Sequence, residues 1–260
     1  MANKTLVGGT TYEVGGGKTL IGGTTYSIEG GKTLIGNTAY DVVFGGRVVN
    51  GEIKDSWEKI SSAKYLAKYS LGNWKPITLS TGETIIMEIV AIQGDTKSDK
   101  SKANITWVSR GIVTERSMNS SGNVGKDWVG CDLRNWLQND FYQTLPNDVK
   151  DAIVTVNKTY LSHMDTNGTY TCSDSIWIPS IREITGGGGE TSGVKYTDYF
   201  SNADARIKYD VNGVAVDWWL RSTAQKNTSN SIYFYTIKET GTWGGWISTN
   251  TSGVVIGFCT

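Results

Sequence analysis

Proline and cysteine are scarce in this 260-residue chain, three of each; histidine occurs once, and neither charge is in surplus, with 25 Lys plus Arg against 25 Asp plus Glu. The cysteines, Cys131, Cys172 and Cys259, are odd in number, widely spaced and without a CxxC pair. That excludes a disulfide-stapled secreted module and leads us to expect assembly in a reducing cytoplasm, with the thiols serving as small buried hydrophobes. Balanced charge removes the electrostatic footprint of a nucleic-acid binder, and the lack of a Lys/Arg run removes that of a protein drawn to anionic membranes. No run of about 18 apolar residues occurs, so no membrane-spanning helix is expected, and Met1-Ala2-Asn3-Lys4 lacks the apolar core of a secretory signal.

The chemistry of catalysis is equally thin. His163, in the polar stretch from Leu161 to Gly168, would have to serve any His-based metal site, Ser-His-Asp triad or Cys-His pair. Gly186-Gly-Gly-Gly189 lacks the GxxxxGK[ST] frame of a phosphate cradle and reads as a mobile surface loop. Asp95-Thr-Lys-Ser-Asp99 is too short and too basic for a calcium loop, and there is no EF-hand. No Asp/Glu pair stands in a recognisable frame, although paired glycosidase acids have no fixed spacing in sequence. The expectation is a non-enzymatic protein without cofactor or metal.

What the chain does have is 32 Gly, ten Trp and thirteen Tyr among abundant Ser, Thr and Asn, the mixture of a β-rich protein with long loops. Lys4-Thr-Leu-Val-Gly-Gly-Thr-Thr-Tyr12 is followed by Lys18-Thr-Leu-Ile-Gly-Gly-Thr-Thr-Tyr26 and Lys32-Thr-Leu-Ile-Gly-Asn-Thr-Ala-Tyr40, a period of fourteen residues. Each copy offers two β-prone runs around a Gly-Gly or Gly-Asn turn. So short a unit cannot bury a core alone, so residues 1–48 are expected to form a Gly-rich β-repeat stalk that oligomerises, as a trimer, with identical chains. A flexible Gly-rich linker would have no reason to keep Tyr and Leu in register.

Residues 49–260 are expected to form one α+β domain. Asp55 caps a helix with Trp57, Ile60 and Leu66 on one face, and Trp74 to Ile92 reads as a hairpin turning at Thr81-Gly82. Asp132 caps a second helix that Pro146 stops, and Asn147-Asp148 cap a third carrying Val149, Ile153 and Val156. Ser180-Ile-Arg-Glu183 has capping-box spacing, and Trp218 to Thr260 reads as short strands. Between two apolar blocks, Trp218-Trp219-Leu220 and Val254-Val255-Ile256, lies a stretch of Tyr and Trp mixed with Asn, Ser, Thr and Gly. Rigid aromatics among adaptable polar residues are the palette of antibody loops, and this stretch is the expected binding surface. Phe234, Ile237 and Trp243 are expected to fill the core beneath it.

Several segments occur in an order that resembles an uncharacterised domain family common in gut bacteria and their phages. They include Ser56-Trp57-Glu58, Ile77-Thr78-Leu79-x-x-Gly82-Glu83-Thr84 and Trp128-x-x-x-Asp132-Leu133-Arg134-x-Trp136-Leu137. Asp174-x-Ile176-Trp177-x-Pro179-Ser180-x-x-Glu183, Trp218-Trp219-Leu220-Arg221-Ser222 and Gly253-Val254-x-x-Gly257-Phe258 follow. The family is similar to the C-type-lectin-like variable proteins of diversity-generating retroelements, including phage tropism determinants. The chain departs from it at Gln93-Gly94-Asp95, where relatives often carry His-Asp, and at Val255-Ile256, where they carry Arg-Pro or Cys-Pro. The frame of the related formylglycine-generating enzymes is not evident.

The resemblance implies a C-type-lectin-like head on the β-repeat stalk, acting as a phage or prophage receptor-binding, adhesin-like protein. Its partner would be a bacterial surface protein or glycan, its other attachment a virion or similar large assembly, and its location the phage tail or the bacterial surface. Adenine-directed mutagenesis of AAC-type codons yields Asn, Ser, Thr, Tyr, Gly and similar residues but not Lys, Glu or Trp. On that logic the variable contacts are Asn227, Ser229, Asn230, Ser231, Tyr233, Tyr235, Thr236, Thr240, Thr242, Gly244, Thr249 and Asn250, with Trp243 and Trp246 fixed. Calcium-lectin motifs are missing, so no bridging metal is implied. Two other readings of the sequence are a structural virion or surface component without a ligand there, and a carbohydrate-active enzyme.

Overall fold

The computed structural model describes residues 51–121, 126–164, 168–226 and 232–260, together with the strands of the first fifty residues. The chain divides into two compact units, Met1–Ile53 and Lys54–Thr260.

In the first unit each fourteen-residue repeat forms one antiparallel two-stranded hairpin. β1 (Asn3–Val7) pairs with β2 (Thr10–Val14), β3 (Lys18–Ile21) with β4 (Thr24–Ser27), and β5 (Lys32–Ile35) with β6 (Thr38–Asp41). The same register recurs: Thr5 stands opposite Tyr12, Thr19 opposite Tyr26 and Thr33 opposite Tyr40. Among the described residues the hairpins form three separate two-stranded sheets.

The second unit is mixed α+β, mostly sheet. Its first sheet has the order β14-β19-β10-β8-β7, with β7 Trp74–Thr78, β8 Thr84–Ile92, β10 Ile105–Ser109, β14 Ile176–Trp177 and β19 Gly257–Cys259. The hairpin β7–β8 turns across residues 79–83, where Gly82 adopts φ +91°. β8 alternates, burying Ile85, Met87 and Ile89, whereas every residue of β10, between two neighbours, is buried. Trp107 on β10 meets Trp57 edge-on at 5.2 Å and stacks on Phe258 of β19 at 6.4 Å, so an aromatic knot closes the core around the C-terminal strand.

The second sheet has the order β11-β18-β15-β16-β17, with β11 Thr114–Ser117, β15 Trp218–Lys226, β16 Ile232–Ile237, β17 Trp243–Ile247 and β18 Thr251–Val254. A third sheet joins β13 (Gly168–Asp174), β12 (Val156–Ser162) and β9 (Thr96–Lys97).

Helices are short. Ser56, not Asp55, caps α1 (Trp57–Ile60), its hydroxyl accepting from the Lys59 amide; Asp55 instead accepts from the Lys59 ammonium and the Tyr69 hydroxyl. The helix ends before Leu66, which lies half-buried in a separate 3-10 turn, Ala63–Lys68. Cys131, not Asp132, caps α2 (Asp132–Trp136): its sulfur accepts from the Arg134 amide, and Asp132 turns away to Lys126 and Ser120. A π turn, Leu137–Phe141, and α3 (Tyr142–Thr144) continue it until Leu145 becomes extended ahead of Pro146. Asn147 is the first residue of α4 (Asn147–Ala152) rather than its cap, and that helix buries Val149 but ends at Ile153; Val156 belongs to β12. A helical period and a β-branched run overlap at Ile153–Val156, and strand pairing wins there. α5 (Ile181–Thr185) carries the full capping box of Ser180 and Glu183 and ends on Gly186 at φ +80°. Among the described residues no helix is long and apolar enough to cross a membrane.

Candidate functional site

β15 carries the feature that organises the C-terminal half. Arg221 is fully buried in the middle of that strand, and its guanidinium grips Glu183 of α5 through two 2.7 Å contacts. Two more of its N–H groups donate to the Ile178 carbonyl at 2.7 Å and the Thr159 carbonyl at 2.8 Å. On the other side of Glu183 the Lys158 ammonium of β12 donates to it at 3.0 Å, to Asp95 at 2.6 Å and to the Tyr196 hydroxyl at 2.6 Å. Asp95 also accepts from Thr106 and Tyr196, and Glu183 from the Ser180 amide. Trp177 lies 3.4 Å below the Lys158 ammonium, ring to cation.

The electrostatics are matched. Burial opposes ionisation of Asp95, yet the charge of Lys158 and its hydrogen bond hold the carboxyl below its usual value. Burial opposes it at Glu183 too, and Arg221 and Lys158 overcome it. Lys158 is raised in turn, the carboxylates outweighing its desolvation. Glu190, also buried, accepts from Thr159 and Ser222 at 2.9 Å each; burial raises its carboxyl despite nearby Arg221. Every oxygen of Asp95, Glu183 and Glu190 has a partner within the protein. With its carboxylates paired in this way, the network fixes β15, β12 and α5 in one arrangement.

On that frame sits the exposed end of the sheet. β16 buries Ile232, Phe234 and Thr236 on the face it turns to the core and leaves Tyr233 and Tyr235 half-exposed on the other. β17 pairs in register: Tyr233 opposite Ile247, Tyr235 opposite Gly245 and Ile237 opposite Trp243. Trp243 is 58% exposed and meets the Tyr235 ring edge-on at 5.6 Å, and Trp246 is 38% exposed with the Lys238 ammonium 4.3 Å from its ring. Lys238 is itself held by Asp217 at 2.7 Å. The Tyr235 hydroxyl reaches to 3.5 Å from the Gly188 carbonyl, beside the glycine turn. Tyr233, Tyr235 and Trp243 thus share one face of the last two strands, whereas Trp246, opposite Phe234, lies on the other, and an aromatic strip of that kind can bind a macromolecular surface.

The sequence-predicted contacts divide accordingly. Tyr233, Tyr235 and Gly244 lie on β16 and β17; Thr240 and Thr242, with hydroxyls 3.0 Å apart, are exposed at the turn between them, and Thr249 and Asn250 follow β17. Thr236 is fully buried and its hydroxyl has no partner, so it cannot meet a ligand. Asn227, Ser229, Asn230 and Ser231 lie outside the described residues. Phe234 and Ile237 are core, but Trp243 is not: it stands exposed on β17, the last strand of its sheet among the described residues.

Other candidates resolve as structure. His163 is half-buried just after β12, its Nδ1 2.9 Å from the Thr223 hydroxyl, and burial lowers its pKa. Cys131 and Cys259 are buried and Cys172 partly so; desolvation pushes Cys131 up to about 12, the opposite of a reactive thiol. Within the glycine run Gly188 turns at φ +79° and packs closely, since a Cβ there would lie 2.3 Å from Ile181. Among the described residues no group of three or more His, Cys, Asp or Glu could hold a metal ion. Sequence reasoning missed the network because its members lie 25 to 63 residues apart around Lys158. The one local signal was Arg221 directly after the apolar run Trp218-Trp219-Leu220.

The fold and site thus define an α+β scaffold with a buried ionic frame and an aromatic edge. Residues 86–258, two-thirds of the chain from within β8 to β19, match the family described as Domain of unknown function (DUF6273), and the chain belongs to that family. Comparison with curated proteins and with solved structures gave no match.

Proposed function

We propose that the chain is a phage or prophage receptor-binding, adhesin-like protein whose C-terminal surface grips a bacterial surface ligand. The C-type-lectin-like reading of the second unit and the stalk reading of the repeats belong to this proposal, as do a homotrimer and attachment to a virion or similar assembly. The observation that carries it is the aromatic strip of Tyr233, Tyr235 and Trp243 on one face of the last two strands of a sheet anchored through Arg221. Rigid aromatics supply contact area at low entropic cost, and a rigid support limits what ordering the surface costs on binding. Several heads on one particle multiply weak contacts into avidity. The polar positions around the strip, Thr240, Thr242, Thr249 and Asn250, are those that targeted diversification would vary.

The test replaces Tyr233 and Tyr235 with Ala and measures adsorption to host cells beside thermal unfolding. The expected outcome is loss of adsorption with the unfolding transition little changed, since both side chains are half-exposed. Unchanged adsorption would turn the assignment toward a structural virion or surface component. A near-copy of the gene's 3′ end, differing only at adenines and lying beside a reverse transcriptase, would establish the diversification.

A further inference from the structure

Glu190 is the third carboxyl of the buried cluster and has no cation of its own. Lys158 is ion-paired to Asp95 and Glu183, and Arg221 to Glu183, so two positive and two negative charges already cancel. Among the described residues Glu190 forms no ion pair; its oxygens meet two neutral hydroxyls, Thr159 of β12 and Ser222 of β15, at 2.9 Å each. Glu190 is 3% exposed, so its ionised form would leave a net negative charge in the interior. The hydroxyl protons point the same way. Ser222 accepts from the Ile181 amide and donates to Oε2 of Glu190. Thr159 stands between Oε1 and the Ser192 carbonyl, at 2.9 and 3.2 Å, with one proton for two acceptors. A proton on Oε1 completes the chain: Glu190 donates to Thr159, and Thr159 donates to Ser192.

We propose that Glu190 is a proton-operated latch: as the neutral acid it fastens residues 187–194 to β12 and β15, and on ionising it releases them. Within that segment Gly193, at φ +103°, lies so close to β12 that a Cβ would stand 2.0 Å from the Thr159 hydroxyl. Arg182 of α5 holds the segment by its backbone, donating to the Glu190 and Gly193 carbonyls. β13 meets it through the neutral Thr169, and β16 through the Tyr235 hydroxyl, 3.5 Å from the Gly188 carbonyl. The charged groups on the elements packed against Glu190 are Lys158 of β12, Arg221 of β15, and Arg182 and Glu183 of α5. Burial raises the carboxyl above its ordinary value, against the pull of Arg221 and with the push of Glu183. The folded chain therefore keeps a proton that the unfolded chain has lost. Stability falls as pH rises from the ordinary glutamate value to the folded one, by up to about tenfold in the folding equilibrium per pH unit. The latch borders the aromatic strip but does not depend on what that strip binds.

The side-chain carboxyl of Glu190 is titrated by carbon NMR on the full chain between about pH 4 and 9, and backbone order parameters are measured at both ends of its titration. The expected result is a carboxyl that ionises above the ordinary glutamate range. Order parameters of residues 187–194 should then drop from about 0.85 toward 0.6 as it does so, while those of β12 and β15 stay level. Glu190→Gln keeps an acceptor for Ser222 and a donor for Thr159 but cannot ionise. In that variant the segment should stay ordered across the whole range. Its urea unfolding should also lack the loss of stability that the parent shows as Glu190 ionises. The titration and the order parameters are read on the parent, so they decide even where the variant folds poorly. A Glu190 carboxyl that ionises in the ordinary range overturns the proposal, and so does a segment equally ordered before and after its ionisation.

Discussion

Two strands of one sheet, β15 and β17, are separated only by β16, and they treat polar groups in opposite ways. On β15 the guanidinium of Arg221 has no exposure and spends its donors on Glu183, Ile178 and Thr159. On β17, the last strand of its sheet among the described residues, no strand bonds the outer side, and its two tryptophans are exposed. The contrast teaches that the sheet is rigid where it is anchored and chemically unfinished where it ends. A display scaffold needs both, because an unfinished edge on a loose frame would spend its binding free energy on ordering itself.

The comparison breaks most sharply at Arg221. Arg221→Ala leaves Lys158 as the one cation on Glu183 and removes the side-chain donor from the Ile178 and Thr159 carbonyls, and losing one partner of a buried ion pair costs about 3–5 kcal/mol. Urea unfolding should show that loss; a variant as stable as its parent would remove the frame from the argument. Acid should act on the same network. Asp95 and Glu183 have pKa values below their ordinary ones, so their contribution is complete above the normal carboxylate range and is lost as pH falls through their folded values.

Next in size is the turn that joins β16 to β17. Gly241 has φ +75°, and a Cβ there would stand 1.9 Å from the Ala203 carbonyl oxygen, which is backbone and cannot swing aside. Gly241→Ala is expected to destabilise by about 2–4 kcal/mol, the sum of left-handed strain and overpacking, again read by urea unfolding. An effect near zero would mean the turn moves independently of residues 203–206, and the edge would then be less well supported than the network suggests.

The difference between these regions also marks what the sequence made legible. Local signals held where the cause is local: the hairpin about Gly82, the capping box of Ser180 and Glu183, and the strands after Trp218. They failed where two local rules compete, as at Val156, or where a sulfur displaces a carboxylate as helix cap, as at Cys131. Thr236 and Trp243 were assigned to the wrong sides because composition says which residues a surface contains, not which face each takes; one register fixes both. The ion network was illegible for a different reason. Asp95 sits in a basic surface-like stretch and Lys158 in a polar strand, and only the fold brings them within 2.6 Å.

A third lever is a buried lysine, Lys208, whose hydrogen bond goes to a carbonyl and not to a carboxylate. Lys208 is buried, donates to the Ser109 carbonyl at 2.8 Å and faces the Phe200 ring at 5.6 Å. Burial pulls its pKa down to about 8; Glu88 pulls it back up and Arg110 pushes it further down. The unfolded chain then binds more protons than the folded one between about pH 8 and 10.5, so stability rises with pH through that window. Between pH 8 and 9.5 the gain should be about 1–2 kcal/mol, and Lys208→Met should flatten it. A parent and variant with the same slope would show that water reaches this ammonium.

The smallest effect is expected on the open strand, at Gly244. Its added Cβ would come 2.7 Å from Cε of Lys238, the far end of a flexible side chain that lies over the glycine on its way to Trp246. Unlike the carbonyl above Gly241, that stem can move, and the backbone of Gly244 is not in the left-handed region. Gly244→Ala should therefore cost about 0.5 kcal/mol or less, and the loss of a flexible backbone in the unfolded chain offsets part of that. The readout is tryptophan fluorescence beside unfolding: Lys238 should leave the Trp246 ring and shift its emission while the midpoint barely changes. A large drop in stability would mean that the contact between Lys238, Asp217 and Trp246 is structural support for β17. The open edge would then be held from its core side by that cation as firmly as β15 is held by Arg221, and the contrast between the two strands would narrow to their outer faces alone.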